Sequence, residues 1–363
     1  MLGNLFLILQ QHNDYKRLEM KNNKKKKITR IVVACLVVIT AVLIAGSEYL
    51  INFALCPKKN KGRDYDRELA VMKSRYPWIV GWTDSIMQTH ALRDTFVIAS
   101  DGDRHHALIL DAPRPTDRTA VIVPGYTDGA IDMLHIGYIY NKLLAMNILI
   151  PDLHSNGKSE GKAMQMGWKD RMDVIQWTGI ADSLFRGGND NARIVVHGQS
   201  MGAATTMNVS GDIPSGSTSG SPASNDGRQK QSLGHLGVSV RCYVEDCGYT
   251  SAWDEFSYEL GDMFGLPEFP LLYTASALCK LQYGWSFSEA APIEQVAKCH
   301  KPMLFIHGSA DTFVPTRMVF RLYAAKPMPK YLMVFPGSKH ARSYKDHRNE
   351  YEQRIRTFVG KYM

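Results

Sequence analysis

The sequence predicts an α/β fold, with a mostly parallel sheet flanked by helices on both faces. Three observations predict it. Short apolar runs alternate with stretches of helical pattern from residue 92 to the C-terminus, as in a parallel sheet buried on both sides. One run, Ile194-Val195-Val196-His197, leads into Gly198-Gln199-Ser200-Met201-Gly202 and then the small residues Ala203 and Ala204. A strand, a sharp turn centred on a serine and a helix are expected there. Finally, several turn residues bearing acid or imidazole groups directly follow predicted strands, the edge where open parallel sheets place their chemistry.

Taken from the N-terminus, residues 1–30 are basic, with Lys24-Lys25-Lys26-Lys27 and Arg30. They precede an uncharged stretch, 31–47, that extends to Leu55 if Glu48 lies at an interface. About 20 residues cross a bilayer, so 31–55 reads as a retained transmembrane anchor. Lys and Arg are denser before it than after it, which places the N-terminus inside and the rest of the chain on the extracytoplasmic side. A cleaved signal peptide is the alternative, with Ala45-Gly46-Ser47 as the small residues for cleavage. Leu55 is too large for a lipid-attachment box before Cys56. Met20 is a second candidate start. A tether and a helical segment containing Trp78 and Trp82 fill 56–91.

The main domain is 92–363. Its strands include 119–123, 194–197, 241–246, 301–308 (ending in a glycine turn) and 330–335, and helices are expected near 131–145, 168–185 and 200–209. Two insertions interrupt it. Residues 210–234 are rich in Ser, Gly and Pro and nearly devoid of apolar residues, so they are expected to form a flexible loop. Residues 253–296 carry many aromatics and are expected to be helical.

Charge excludes one function class. The chain has 43 Lys and Arg against 35 Asp and Glu; residues 1–63 hold twelve and three of them, leaving a near-neutral 31 against 32. Basicity confined to a membrane-flanking segment gives no reason to expect nucleic-acid binding. Six cysteines are present. Cys35 lies in the anchor, and Cys242, Cys247, Cys279 and Cys299 are disulfide candidates if the domain is exported, or else buried thiols. No paired spacing of Cys and His suggests a metal site, and no cofactor is expected.

The candidate chemistry starts at Ser200. A serine hydroxyl is a weak nucleophile at neutral pH; it needs a base to take its proton and a carboxylate to orient that base. Asp311, in the turn Gly308-Ser309-Ala310-Asp311 after one strand, and His340, in Gly337-Ser338-Lys339-His340 after the next, supply these in order. Asp246, at the end of 241–246, is the alternative acid. His197 and His307 lie at strand ends beside the site. The oxyanion donors are expected to be the backbone N–H groups of Met201 and of Tyr126, in Pro124-Gly125-Tyr126.

Together these segments resemble the α/β-hydrolase superfamily, over most of the chain from about Leu92. The nearest pattern is that of bacterial membrane-anchored esterase-like or serine-aminopeptidase-like hydrolases. Asp101-Gly102 looks like the family's first hairpin turn. Residues 152–161 look like its D-x-R-G-x-G-x-S-x-G loop, with His154 and Ser155 in place of Arg and Gly. The resemblance implies acyl transfer to water, and it implies that 253–296 forms a lid over Ser200. An acyl ester is the expected substrate. A peptidase or amidase of the same fold, or an inactive hydrolase-fold binding module, are the alternatives.

Overall fold

The computed structural model describes residues 2–57, 64–99, 102–188, 190–214 and 235–363. A long helix, α1 (Leu2–Leu55), is followed by α2 (Tyr65–Arg75) and α3 (Val80–Gln88). Strands β1 (Arg93–Ile98), β2 (Arg104–Leu110) and β3 (Arg118–Val123) come next, then α4 (Leu134–Tyr138) and β4 (Asn147–Pro151). After α5 (Asp170–Phe185), the segment β5 (Arg193–Gln199) to α6 (Met201–Asp212) carries the serine turn. Then follow β6 (Val240–Asp246), α7 (Ala252–Phe264), α8 (Leu271–Tyr283), α9 (Pro292–Val296) and β7 (Met303–Gly308). The chain ends with α10 (Arg317–Ala325), β8 (Lys330–Phe335), α11 (Ser343–Asp346) and α12 (Arg348–Tyr362).

The eight strands form one sheet in the order β1-β2-β4-β3-β5-β6-β7-β8. The β1–β2 and β2–β4 pairs are antiparallel and every other pair is parallel. Because side chains alternate across a strand, the apolar runs build two cores. Val121, Val123, Ile194, Val196 and Phe305 face one core; Ala120, Ile122, Val195, Val244 and Ile306 face the other. The parallel strands β3, β5, β6 and β7 are buried almost throughout, which explains why they read as continuous apolar runs.

Two segments differ from expectation, and the cysteines take one of their two expected states. The helix expected over 131–145 is broken into a 3-10 turn, α4 and a π turn at Ile139–Leu143. The wide π turn carries Asn141 inward, where its Nδ2 donates to the carbonyls of Asp111 at 2.9 Å and Met146 at 3.1 Å. In the flexible-loop candidate, residues 210–212 continue α6, and 215–234 lie outside the described residues. The cysteines are all free, with Cys242, Cys247, Cys279 and Cys299 buried as thiols.

The helix α1 changes character along its length. Ile31, Val37, Ile39 and Val42 are exposed, and this part is long and apolar enough to cross a membrane. From Ser47 onward the helix enters the domain: Ser47, Ile51 and Leu55 are buried, and Met164 N–H donates to the Leu55 carbonyl at 2.8 Å. Ile51 and Leu55 belong to the core that also holds α5, α6 and α8 residues. The anchor candidate therefore ends as part of the folded domain.

Candidate active site

Ser200 sits between β5 and α6 with φ +57° and ψ −121°. A side chain in the left-handed region costs of order 1–3 kcal/mol and persists only where its surroundings enforce it. Here both flanking glycines are sterically required. A Cβ on Gly198 would overlap the Gly202 carbonyl, and one on Gly202 would overlap the Val123 carbonyl. The turn is further held by Ser200 N–H donating to the Asp246 carbonyl at 2.8 Å.

The structure brings Ser200, His340 and Asp311 together. His340 Nε2 lies 2.8 Å from Ser200 Oγ, and His340 Nδ1 lies 2.8 Å from Asp311 Oδ2. A carboxylate only accepts, so Nδ1 carries the ring proton and Nε2 is left to accept from the serine hydroxyl. Asp311 is buried, and its other oxygen accepts from the backbone N–H groups of Phe313 at 3.0 Å and Val314 at 2.9 Å. Burial alone would raise its carboxyl, but hydrogen bonds from His307 and His340 outweigh that and hold it at about 2.

Of the other candidates, Asp246 is not His340's partner. Its Oδ2 accepts from Gln199 Nε2 at 3.2 Å and Tyr351 hydroxyl at 2.9 Å, and burial raises its pKa. His197 is a core residue between the Tyr140 and Tyr351 hydroxyls, at 3.0 and 3.4 Å, and burial lowers its pKa to about 3. His307 backs the acid: its Nε2 donates to the Val314 carbonyl at 2.9 Å and lies 3.3 Å from Asp311 Oδ2.

The oxyanion candidates flank the serine. Met201 opens α6, where the first backbone N–H groups of a helix have no intrahelical partner. The loop carrying Tyr126 runs beside it, since a Cβ on Gly125 would lie 3.3 Å from Ser200 Cβ. The Tyr126 hydroxyl is engaged by α1, donating to the Ala54 carbonyl at 2.8 Å. Burial raises that phenol to about 12.

A cavity of about 330 Å³ opens over Ser200 and Met201. Part of its wall comes from α7 and α8, through Phe256, Leu260, Leu272 and Ala275. Another part, which sequence reasoning missed, comes from the end of α1 and the residues just after it: Leu50, Phe53, Ala54 and Pro57. The only sequence signal for it was the apolar pattern continuing past Glu48. Two acids also reach the cavity, Glu255 and Glu259; burial raises both pKa values, followed by the Glu259 charge for Glu255 and the Asp262 charge for Glu259.

Among the described residues, two groups of side chains bring three potential metal donors within 4.8 Å of one another. One is Cys247, Asp311 and His340, where both imidazole nitrogens are already engaged as above. The other is His105, His154 and Asp173, buried where β2, the loop after β4 and α5 meet; the two imidazole rings pack edge to face at 5.5 Å.

No family model matches the chain. It is 28% identical over 248 residues to the uncharacterized protein YqkD of Bacillus subtilis, covering 68% of this chain and 73% of that one. Among solved structures, the esterase Pf2001 of Pyrococcus furiosus superposes with a TM-score of 0.56 at 19% identity, over 75% of this chain and 90% of its own. A puromycin-hydrolyzing peptidase of Mycobacterium tuberculosis gives 0.54 at 17%, over 75% of this chain and 39% of its own. Est1E of Butyrivibrio proteoclasticus, solved with ferulic acid bound, gives 0.52 at 15%, over 74% and 98%.

Proposed function

The chain has the α/β-hydrolase fold, and we propose that it is a membrane-anchored serine hydrolase that cleaves acyl esters. The observation that carries this reading is the unbroken hydrogen-bonded line Ser200–His340–Asp311, with the serine held strained at the floor of an apolar cavity. Nothing in ordinary packing calls for that combination.

In this reading His340 Nε2 takes the hydroxyl proton as Ser200 Oγ attacks the acyl carbonyl carbon. Asp311, ionised and buried, keeps the proton on Nδ1 and stabilises the imidazolium. The Met201 and Tyr126 amides hold the oxyanion. The ester C–O bond then breaks, and the alcohol leaves with the proton from His340. Water, deprotonated in turn by His340, attacks the acyl-enzyme; the products are a carboxylic acid and free Ser200. The apolar walls suit the acyl group. The exposed apolar length of α1, preceded by Lys24–Lys27 and Arg30, supports an anchor with the catalytic domain on the extracytoplasmic side.

A peptidase reading has one observation in its favour. Glu255 and Glu259 on the cavity wall are groups that could receive a substrate ammonium. The upward shift of both carboxyls reduces their tendency to ionise, which weakens that attraction.

The test is hydrolysis of nitrophenyl esters and aminoacyl nitroanilides by the full chain in detergent, beside Ser200→Ala and His340→Ala. Ester turnover by the parent and by neither variant is expected. Turnover surviving Ser200→Ala would overturn the mechanism, and turnover of anilides alone would favour the peptidase.

A further inference from the structure

Resting on that reading of Ser200, we propose that the substrate is a long-chain acyl ester drawn from the bilayer that holds α1. The acyl chain reaches the serine along an apolar path walled by the end of α1 and the α7–α8 hairpin.

The argument begins where α1 meets the domain. Gly46 approaches α8 so closely that a Cβ there would lie 3.2 Å from Leu271 Cδ1. Next to it, Ser47 Oγ donates to the Leu271 carbonyl at 3.3 Å. Leu271 is the first residue of α8, so the turn between α7 and α8 lies at the level of Ser47. Counting back from Ser47 to Ile28 gives about 20 residues, or about 30 Å of helix at 1.5 Å per residue, the thickness of a hydrocarbon core. Arg30 is near enough to that end to reach the headgroups with its side chain. A bilayer around this part of α1 therefore has its surface at Ser47 and Leu271.

The surface of the domain at that level is apolar. Around the hairpin turn, Met263, Phe264, Leu266 and Phe269 are 52%, 38%, 43% and 72% exposed. Clustered exposed side chains of this size mark a contact surface. They are also continuous with α1, because the Phe53 and Phe264 rings meet edge to face at 5.8 Å.

That patch leads to the nucleophile. Met263, Phe264, Leu50 and Phe53 line the same cavity as Ser200 and Met201. The first four include residues substantially open to the outside, whereas Ser200 is buried. A short, water-soluble ester needs no such path. A bilayer amphiphile does, since its chain would otherwise cross water at a cost of about 0.8 kcal/mol per exposed methylene. Hydrolysis would then release the alcohol portion and a long-chain carboxylic acid, itself an amphiphile able to return along the same walls.

The experiment uses the full chain reconstituted in phosphatidylcholine–phosphatidylglycerol vesicles. It reads the ratio of nitrophenyl palmitate hydrolysis, with the ester dissolved in the bilayer, to nitrophenyl butyrate hydrolysis from water. Two variants are compared with the parent: Leu266→Asp/Phe269→Asp, which charges the patch, and Leu50→Trp, which narrows the path. Labelling of Ser200 by a small fluorophosphonate reports an intact site in each. Both variants are expected to label, with the palmitate-to-butyrate ratio at least 10-fold below the parent's. An unchanged ratio in labelled variants would overturn the proposal, as would a parent that hydrolyses butyrate but not palmitate. A charged-patch variant that keeps the ratio but loses a dimer seen in the parent would make the patch a contact between copies and equally overturn it. A folded parent that turns over neither ester and does not label would instead sink the serine-hydrolase reading, and this proposal with it.

Discussion

At Asp311 and Asp246, two carboxylates of similar sequence context are separated by their partners. Asp246 ends β6 and Asp311 lies just after β7 of the same sheet, and both are buried. Asp311 receives His340 Nδ1 and two backbone N–H groups and is held ionised. Asp246 receives a tyrosine hydroxyl and a glutamine amide, while burial pushes its carboxyl up. The proposed roles then predict opposite outcomes for the same change. Asp311→Asn leaves the shape intact but lets the imidazole take the wrong tautomer, and is expected to lower kcat about 10³–10⁴-fold. Asp246→Asn keeps an oxygen for the Tyr351 and Gln199 donors and, because Asp246 is not His340's partner, is expected to stay within about 5-fold of the parent, the scale of one hydrogen bond of about 1 kcal/mol. Rates on nitrophenyl butyrate, read beside fluorophosphonate labelling, compare the two; equal losses would remove Asp311 from its assigned role.

Among the elements, α1 joins what the sequence separates into anchor and domain. Its last two turns supply Ile51 and Leu55 to the core, and the Ala54 carbonyl accepts from Tyr126, in the loop beside Ser200. Truncating Leu55 should leave a cavity in a fully buried site. Leu55→Ala is expected to cost about 2–5 kcal/mol, seen as a lower melting temperature of the full chain in detergent. A loss below about 0.5 kcal/mol would mean that α1 is only loosely docked. The contrast shows what the residues alone disclose. The strands were legible because the parallel sheet is buried on both faces, so each strand is apolar throughout and the turns after them carry the polar groups. The serine turn was legible because its geometry tolerates only glycine at positions 198 and 202. The end of α1 was not, since a residue that faces lipid and a residue that faces a protein core satisfy the same hydrophobic pattern. The turn after 301–308 favoured Asp311 over Asp246, but the partner that occupies Asp246, the hydroxyl of Tyr351 far along the chain, could not be read from spacing. The irregular segment around Asn141 escaped for a related reason, as its bends answer to tertiary hydrogen bonds rather than to helical periodicity.

Over the whole molecule, the buried acids set how stability follows pH, and two of them act in opposite senses. Asp311 has a folded pKa of about 2 against 3.8 in the open chain. It therefore contributes about 2 kcal/mol that is present above pH 4 and lost as the pH falls toward 2. Glu245 is the reverse. Burial, aided by the neighbouring Asp246 charge, pushes its carboxyl well above the ordinary 4.5, against the weaker pull of the Gly248 N–H, which donates to Oε2 at 3.0 Å. The folded state then holds a proton that the unfolded chain has released. Stability from this group is full below about pH 4.5 and declines as the pH rises toward the folded pKa, by up to about 1.4 kcal/mol per pH unit. Glu245→Gln keeps the acceptor for Gly248 and removes the titration. Denaturation of parent and variant in the same detergent at pH 5, 6.5 and 8 is expected to show the variant gaining on the parent as the pH rises. Curves that stay parallel across that range would mean that Glu245 is ionised in the fold, with a cation or water reaching it. In that case the polar end of β6, directly behind the Ser200 turn, would be hydrated rather than dry.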